Sequence, residues 1–330
     1  MNISPFKKRN KLFRSHGIIF NFFTLLAWVW TLSQFAMILW GFLASLREPF
    51  RYSMQPMRFF PEDFIFHWEN YLNVFETMVD TNTGVNYWGM VGNSVWFSVG
   101  ATFMKLWATT LLAYVMAQYN FFGKKTLYAF LIVQIMLPVY GQTTANYIFL
   151  DRLHLINTPL FLLALGAGHG MYFLIMHSYF TNLSSTYREA AELDGANDFS
   201  IFFRIMLPLG ASSVIAIGIV TFIGNWNDYS TALLYIDAFP TLAVGLYRYQ
   251  FEAIFTTGFD APILFAGIFL ASLPTTILFI IFNKTLMENL SIGGIKGRTK
   301  RRIKNENIVK ETYLHGSCLC STFVCLRLYW

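Results

Sequence analysis

The sequence predicts an all-α membrane protein with six transmembrane helices, and three observations favour this fold class. Of the 330 residues, 55% are hydrophobic and only 13% are charged, whereas a soluble domain usually carries about 25% charged residues. Nearly uncharged apolar runs of about 20 residues, long enough to cross a bilayer, recur along the chain. Basic residues collect in alternate connections between these runs. Because hydrocarbon offers no hydrogen bonds to the backbone, runs of this length are predicted to be helices.

Three regions follow from the positions of the apolar runs. A basic N-terminus (residues 1–17) precedes a transmembrane domain (residues 18–297), and a basic, then apolar extension (residues 298–330) is predicted to be poorly ordered. The longest connection, residues 47–93, contains several prolines and acids and is predicted to form an external cap. The six predicted spans are approximately residues 18–46, 94–119, 126–149, 159–180, 208–231 and 262–283.

The distribution of Lys and Arg predicts that both termini lie in the cytoplasm, because basic residues in short loops favour the inner side of a membrane. With the N-terminus inside, the inner segments hold seventeen basic residues up to Lys310, and the outer segments hold five. The net charge of +6 is therefore attributed to membrane topology, and no nucleic-acid partner is expected.

The connection between spans 4 and 5, residues 181–208, is unusually charged and is named the 181–208 loop. Thr186 and Glu189 have the spacing of a capping box, which predicts a short helix, and Gly195 is placed to end that helix in the left-handed conformation. Asp198 is predicted to cap a second short helix. Helices this short are marginal in water unless they pack against something. The local pattern leaves two interpretations open, a docking element and a solvated connection.

A family resemblance favours the docking element. The spacing of Glu189-Ala190-Ala191, Gly195, Ile205 and Leu207-Pro208 resembles the EAA loop of binding-protein-dependent ABC importer permeases. The resemblance covers about residues 15–297 and extends to the sugar-importer branch of the maltose-permease type. The stretches similar to that branch are NSVWFSVGATFMKLWATTLLAYVMAQY, LHLINTPL, NWNDYSTALL and MENLSIGGIKG.

The resemblance implies the type I ABC importer permease fold and a role as one transmembrane subunit of a carbohydrate importer in the bacterial inner membrane. The implied partners are a second homologous permease, a cytoplasmic ABC ATPase dimer, an extracellular solute-binding protein and an oligosaccharide substrate. ATP and magnesium would bind to the ATPase, with no cofactor in this chain. The residues implied in ATPase coupling are Arg188, Glu189, Ala190, Ala191, Asp194, Gly195, Ile205, Leu207 and Pro208, with a possible second contact at Gly293, Gly294, Lys296 and Gly297.

Catalytic chemistry is not expected in this chain. The G-x-x-x-x-G-K-[ST] phosphate loop is missing from the sequence, so ATP hydrolysis is assigned to a separate subunit. No combination of nucleophile, base and orienting group is apparent. The three cysteines, Cys318, Cys320 and Cys325, have spacing that is a poor match to a zinc site, so no metal is expected.

The substrate path is harder to predict, and polar residues in or near the spans are its candidates. Lys105 is a charged residue within span 2, where exposure to lipid costs at least a few kcal/mol. A Lys on the path would favour an acidic sugar, but each candidate is also compatible with a structural role. Alternative solutes are a polyol, a peptide or an amino acid, and an ATP-independent secondary transporter is a more distant alternative. The candidates are Lys105, Tyr140, Gln142, Asn146, Asn225 and Asn227.

Overall fold

The computed structural model describes residues 18–60, 65–137, 141–167, 170–255 and 260–290, and the regular elements in these ranges are all helical. This confirms the all-α fold class. In chain order, the helices are α1 (Ile18–Ser45), α2 (Pro49–Met54), α3 (Glu69–Thr77), α4 (Tyr87–Gln118), α5 (Lys124–Met136), α6 (Gln142–Arg152), α7 (Phe161–Ala164), α8 (Gly170–Asn182), α9 (Thr186–Leu193), α10 (Asp198–Ile201), α11 (Leu207–Leu209), α12 (Ala211–Trp226), α13 (Tyr229–Tyr235), α14 (Leu242–Phe255) and α15 (Ala261–Leu290).

Three helices in the described ranges are long and apolar enough to cross a membrane by themselves. They cover Phe20–Ser45, Tyr87–Gln118 and Ala261–Thr285, and they correspond to predicted spans 1, 2 and 6. A fourth candidate is a bent pair, Asp198–Leu209 followed by Ala211–Trp226. The count of six spans therefore stays a prediction.

Spans 3 and 4 were each predicted as one transmembrane segment, and the described residues of each range form two shorter helices. Helices α5 and α6 replace span 3, and both are shorter than the roughly 20 residues that a bilayer requires. Gly141, between these helices, has a φ of +79°, which a continuing α-helix does not allow. Span 4 likewise contains α7, a 3-10 turn at Leu165–Ala167 and α8.

Other boundaries also differ from the prediction. Helix α4 begins at Tyr87 rather than residue 94, so the preceding connection ends at residue 86. Span 5 ends at Trp226, and the separate helix α13 begins at Tyr229. Helices α3 and α14 were not predicted, because their mixture of polar and apolar residues gave no long uncharged run. The predicted N-terminal segment and C-terminal extension lie outside the described residues.

The chain divides into two compact units. One consists of the described residues within Met1–Gly100, Gln142–Phe161 and Ile223–Ile277, and the other of those within Ala101–Gly141, Leu162–Phe222 and Leu278–Trp330. Each unit is named by its content. The first is the cap unit, because it holds the 47–86 segment, and the second is the loop unit, because it holds the 181–208 loop.

The core of the loop unit joins transmembrane helices to the 181–208 loop. Aromatic and sulfur side chains from α4, α8 and the loop interlock, and each is nearly inaccessible to solvent. This core includes Ala113, Tyr114, Met116, Phe173, Met176, Phe180, Ala191, Ile201, Phe202, Met206 and Ile217. The loop is therefore packed onto the helices along one side, and its position is set by burial of apolar surface.

Buried polar side chains hold the 47–86 segment within the cap unit. Arg47 is 1% exposed, and its guanidinium donates to the carbonyl oxygens of Gln55 at 2.9 Å and Arg58 at 3.3 Å. The buried amide of Asn70 donates to the carbonyl oxygens of Ser45 at 2.8 Å and Arg47 at 2.9 Å. The two bonds from Asn70 satisfy backbone carbonyls at and just after the end of α1, where intrahelical partners run out.

An ion cluster closes the other end of the same segment. The Asp80 side chain is fully buried and accepts a hydrogen bond from Arg248 at 2.5 Å, and Arg248 also pairs with Asp237. Asp80 further accepts hydrogen bonds from the backbone and hydroxyl of Thr83. Burial by itself raises the pKa of Asp80, but the hydrogen bonds from Thr83 and Arg248 outweigh burial and hold that pKa below its ordinary value.

Candidate functional site

Two short helices and a turn form the outer part of the 181–208 loop, as the sequence predicted. Helix α9 ends at Leu193, and Gly195 adopts a φ of +79°. A side chain at that φ is strained, although a Cβ on Gly195 would have open space around it. The predicted role of Gly195 as the left-handed residue that ends the helix is therefore confirmed.

The predicted side-chain caps of both short helices are wrong. Thr186 lies inside α9, whose N-cap is Ser185 and carries no side-chain cap hydrogen bond. The second helix is capped by Asn197, whose side chain accepts from the amide of Ser200 at 2.8 Å. Asn and Asp are about equally good caps, so the local pattern did not distinguish Asn197 from its neighbour Asp198.

One face of α9 is open and the other is buried. Ala191 points into the core of the loop unit and is 6% exposed, whereas Leu193 is 90% exposed. Glu189, Ala190 and Asp194 are also exposed. A shallow groove of about 480 Å³ runs along the open face and is lined by Ser184, Thr186, Tyr187, Ala190, Ala191, Asp194 and Ile205.

Arg188 points back from α9 toward the end of α4. Its guanidinium donates to the carbonyl oxygen of Gln118 at 2.7 Å and lies over the ring of Tyr119, with 5.0 Å from Cζ to the ring centroid. Its Nε is 3.2 Å from a carboxylate oxygen of Glu192. A cation next to the last carbonyls of a helix also interacts favourably with the helix dipole.

Tyr119 continues the connection to the second short helix. Its hydroxyl donates to the Asp198 carboxylate at 2.8 Å, and it lies 3.4 Å from the hydroxyl of Tyr114. Gln118 donates to the carbonyl oxygen of Phe180 at 2.7 Å, which adds helix α8. Tyr119 and Gln118 were not predicted as site residues, because no sequence pattern relates them to Asp198 and Phe180.

The junction between the 181–208 loop and α12 is bent. The segment Phe202–Met206 is a π-helix, and the axes of Asp198–Leu209 and Ala211–Trp226 differ by 77°. Tyr179 donates to the carbonyl oxygen of Leu209 at 2.5 Å, close to the bend. Gly210 lies at the bend, and a Cβ there would approach the rings of Tyr179 and Phe180 to 3.5 Å.

The predicted coupling residues have distinct positions along this loop. Glu189, Ala190, Asp194, Gly195 and Pro208 are exposed; Arg188, Ile205 and Leu207 are half-buried; and Ala191 is buried. The coupling residues of this loop therefore differ in burial, and Ala191 is nearly inaccessible to a partner in this structure. Gly293, Gly294, Lys296 and Gly297, the predicted second contact, lie outside the described residues.

The substrate-path candidates are divided between the two units. Lys105 is a half-buried residue of α4 in the loop unit, whereas Gln142, Asn146, Asn225 and Asn227 belong to the cap unit. Asn225 is buried, and the exposed Asn227 donates to the carbonyl oxygen of Ile223 at 2.9 Å. Tyr140 lies outside the described residues. These positions do not assign a substrate site.

Within the part of the chain that the structure describes, no group of three or more His, Cys, Asp or Glu side chains could hold a metal ion. The three cysteines near the C-terminus are not among those residues.

A protein-family model covers the chain from the last part of α4 into α15, including the 181–208 loop. The family described as binding-protein-dependent transport system inner membrane component matches residues 109–287. That match is more than half of the chain and contains the complete 181–208 loop. The chain belongs to this family. It is a permease of the ABC importer class, a transport subunit embedded in a membrane, as the resemblance implied.

Individual relatives have the same role. The arabinooligosaccharides transport system permease protein AraQ of Halalkalibacterium halodurans is 30% identical over 235 residues, 69% of this chain and 79% of that protein. The maltodextrin transport system permease protein MalD of Streptococcus pneumoniae is 34% identical over 192 residues, 57% of this chain and 67% of its own. The maltodextrin transport system permease protein MdxG of Bacillus subtilis is 30% identical over 249 residues, 72% and 84% of the two chains.

A solved structure shares the fold. It is described as the crystal structure of a bacterial ABC transporter involved in the import of the acidic polysaccharide alginate. The similarity has a TM-score of 0.65 at 20% sequence identity and covers 85% of this chain and 99% of the other. At this level of identity, the comparison supports the permease fold.

Proposed function

We propose that this permease is one transmembrane subunit of an ATP-driven importer of oligosaccharides. ATP is hydrolysed by a separate cytoplasmic ATPase dimer, which binds ATP and magnesium, and this chain holds no cofactor of its own. A second homologous permease completes the transmembrane path, and an extracellular solute-binding protein delivers the substrate. Both termini lie on the cytoplasmic side of the bacterial inner membrane, as the distribution of basic residues indicates.

The open face of the 181–208 loop carries this proposal. Glu189, Ala190 and Asp194 are exposed, and Ala190 and Asp194 line the shallow groove together with Ala191, which is buried in the core and anchors α9. Small residues permit a partner backbone to approach closely, and carboxylates attract basic or hydrogen-bonding side chains. An exposed Leu193 adds apolar area that a docked partner would cover.

In this mechanism, the ATPase holds α9 in a surface cleft. ATP-driven closure of the two ATPase subunits displaces the docked helix, and the packed core of the loop unit passes that displacement to the transmembrane helices. Ile205, Leu207 and Pro208 connect the docked part to α12. The segment from Gly293 to Gly297 is proposed as a second contact with the same ATPase. Such coupling converts ATP binding into alternating access.

The names of the relatives support an oligosaccharide as the substrate. Those relatives are named for the transport of arabinooligosaccharides and maltodextrin, which are neutral carbohydrates. Polar groups that could contact the sugar are Tyr140, Gln142, Asn146, Asn225 and Asn227. Lys105 tests whether the substrate carries a negative charge, since a Lys on the path would favour an acidic sugar.

The docking proposal is tested by cross-linking within the assembled complex. Cys318, Cys320 and Cys325 are first replaced by Ser, and Leu193→Cys is then introduced on the open face of α9. We expect a thiol cross-linker to join position 193 to the ATPase subunit, because docking places the two within reach. Phe122→Cys, which is fully exposed after the end of α4, is the control. If position 193 did not cross-link to the ATPase in any nucleotide state, docking would be ruled out.

The substrate proposal is tested by uptake into cells that express the permease with its ATPase, second permease and binding protein. The panel is radiolabelled maltotriose, arabinotriose, galactotriose and a uronate trisaccharide, with a polyol, a peptide and an amino acid as controls. We expect ATP-dependent uptake of a neutral trisaccharide. Preferential uptake of the uronate trisaccharide, lost in Lys105→Met, would indicate an acidic substrate. Uptake that ignores ATP would contradict the importer assignment.

A further inference from the structure

The 181–208 loop has two connections to the transmembrane helices, and they differ in geometry. The covalent connection to α12 runs through a π-helix and a 77° bend. The second connection consists of side chains and reaches the end of α4. At such a bend the regular ladder of helix hydrogen bonds is interrupted.

The second connection is built from Arg188, Tyr119 and Asp198, which are named the clamp. Arg188 on α9 donates to the last carbonyl of α4 at 2.7 Å and covers the Tyr119 ring. Tyr119, the residue directly after α4, donates to Asp198 on α10 at 2.8 Å. Both short helices of the loop are thereby attached to the same end of α4.

Charged hydrogen bonds and aromatic packing together hold the loop in one orientation against α4. Two of its contacts involve ionised groups, which form stronger hydrogen bonds than neutral pairs. Beside the clamp, Trp107 of α4 stacks on Phe203 of the loop with ring centroids 5.5 Å apart, and Tyr114 packs against Phe202 at 4.9 Å. The polar contacts fix orientation, and the aromatic contacts resist separation.

We propose that the clamp makes the 181–208 loop and α4 move as one body, so that ATPase closure acts on α4 directly. This inference rests on the docking proposal and adds α4 as a second helix, besides α12, that ATPase closure displaces. Arg188, Tyr119 and Asp198 are positioning residues in this scheme. Lys105 lies on α4 about 13 residues, or roughly 20 Å, before the clamped end. Motion of the loop therefore carries Lys105 with it.

The first experiment measures oligosaccharide molecules transported per ATP hydrolysed, using whichever sugar of the panel above gives the largest uptake. Tyr119→Phe removes one hydroxyl and keeps the ring beneath Arg188, so it removes the bond to Asp198 together with the longer 3.4 Å contact to the Tyr114 hydroxyl. We expect the ratio to fall about threefold to tenfold in Tyr119→Phe and in Asp198→Ala, the range that loss of one hydrogen bond gives. Asp198→Asn should restore most of the ratio, because an amide oxygen still accepts from Tyr119.

Two further variants distinguish loss of the clamp contact from a general loss of structure. Tyr128→Phe removes a hydroxyl from α5 in the same unit and should leave the ratio unchanged. The double variant Tyr119→Phe with Asp198→Ala should be no worse than either single variant, since both remove the same interaction. Additive losses, or an unchanged ratio in both single variants, would overturn the inference.

The second experiment needs no substrate and measures the motion itself. Spin labels at Phe122→Cys, after α4, and Phe199→Cys, on α10, are introduced after the native cysteines are replaced; both positions are exposed. We expect the same distance between labels in nucleotide-free and ATP–vanadate-trapped complexes, and a nucleotide-dependent distance in the Tyr119→Phe background. A distance that changes with nucleotide in the parent would show that the loop and α4 move separately.

The cross-link at position 193 distinguishes the two possible failures. If that cross-link forms in all variants but the clamp variants keep the parent ratio and distance, the docking proposal stands and the clamp is wrong. If the cross-link never forms, the docking proposal fails and the clamp fails with it.

Discussion

The 47–86 segment and the 181–208 loop both join apolar helices, yet their polar residues are used in opposite ways. In the 47–86 segment, Arg47, Asn70 and Asp80 are almost completely buried and bonded within the cap unit. In the 181–208 loop, Glu189 and Asp194 face outward. The first region satisfies these polar groups internally, whereas the second offers the carboxylates of its open face to a partner.

This difference shows how stability and coupling are separated along the chain. Buried polar groups are costly to leave without partners, so changes in the 47–86 segment should reduce folding stability. Exposed charges contribute little to stability, so changes on the open face of the loop should affect transport alone. The following predictions test that separation.

The largest expected effect is on the ion cluster of the cap unit. Arg248→Met leaves the fully buried Asp80 without its cation, and loss of one partner of a buried ion pair costs about 3–5 kcal/mol. We expect a large drop in the thermal unfolding temperature of the purified protein. Adding Asp80→Leu should recover part of this loss, because the uncompensated charge is then removed. If Arg248→Met alone were as stable as the parent, the ion pair with Asp80 would not stabilise this segment.

A smaller loss of stability is expected at Asn70. Asn70→Ala removes two hydrogen bonds and leaves the carbonyls of Ser45 and Arg47 unsatisfied, at a cost of about 1–3 kcal/mol for the buried groups. Glu76→Ala on the same helix changes an exposed side chain and serves as the control. Both variants should transport normally per folded molecule, as measured by uptake normalised to folded protein. If Asn70→Ala lost transport per folded molecule, the 47–86 segment would have a role in transport as well as in stability.

The third prediction concerns the open face. Glu189→Lys should reduce transport by at least about tenfold, corresponding to roughly 1.4 kcal/mol of lost docking energy, while unfolding temperature stays within the error expected for a surface change. Glu76→Lys makes the same charge change in the 47–86 segment and should leave transport intact. Normal transport by Glu189→Lys would show that this carboxylate does not contact the ATPase.

The smallest effect is a pH dependence in the cap unit. Because the folded pKa of Asp80 lies below its ordinary value, the ionised form contributes stability that is present at neutral pH. That contribution is lost as the pH falls from about 4 through the lower folded pKa. We expect the unfolding temperature of the parent to decrease more than that of Asp80→Asn between pH 5 and pH 3. Parallel pH profiles of the two proteins would disprove this role.

Several features of the fold were predictable because they depend on local chemistry. Spans 1, 2 and 6 are continuous apolar runs, and each forms one long helix. Gly195 was predicted because a left-handed residue after a short helix favours glycine. Spans 3 and 4 were predicted less well, since hydropathy alone does not show where a run of apolar residues is interrupted by a turn.

The candidate site was predictable in part for the same reason. The short helix α9 follows from a motif within twenty residues, but the motif does not show which of its residues face outward, because Ala191 of the same motif is buried in the core. The clamp was not predictable, because Tyr119 and Asp198 are 79 positions apart and neither belongs to a pattern with the other. Asp198 was assigned as a cap, yet Asn197 took that role and left the Asp198 carboxylate available to Tyr119.

The sequence by itself determined that this chain is helical, apolar and equipped with a short charged loop, because periodicity, hydropathy and turn chemistry act between neighbours in the chain. Only the tertiary structure decided which polar residues are buried, how the loop bends into α12 and which helix end Arg188 contacts. Those outcomes depend on packing between distant segments, where burial of apolar surface sets the positions and hydrogen bonds select the partners.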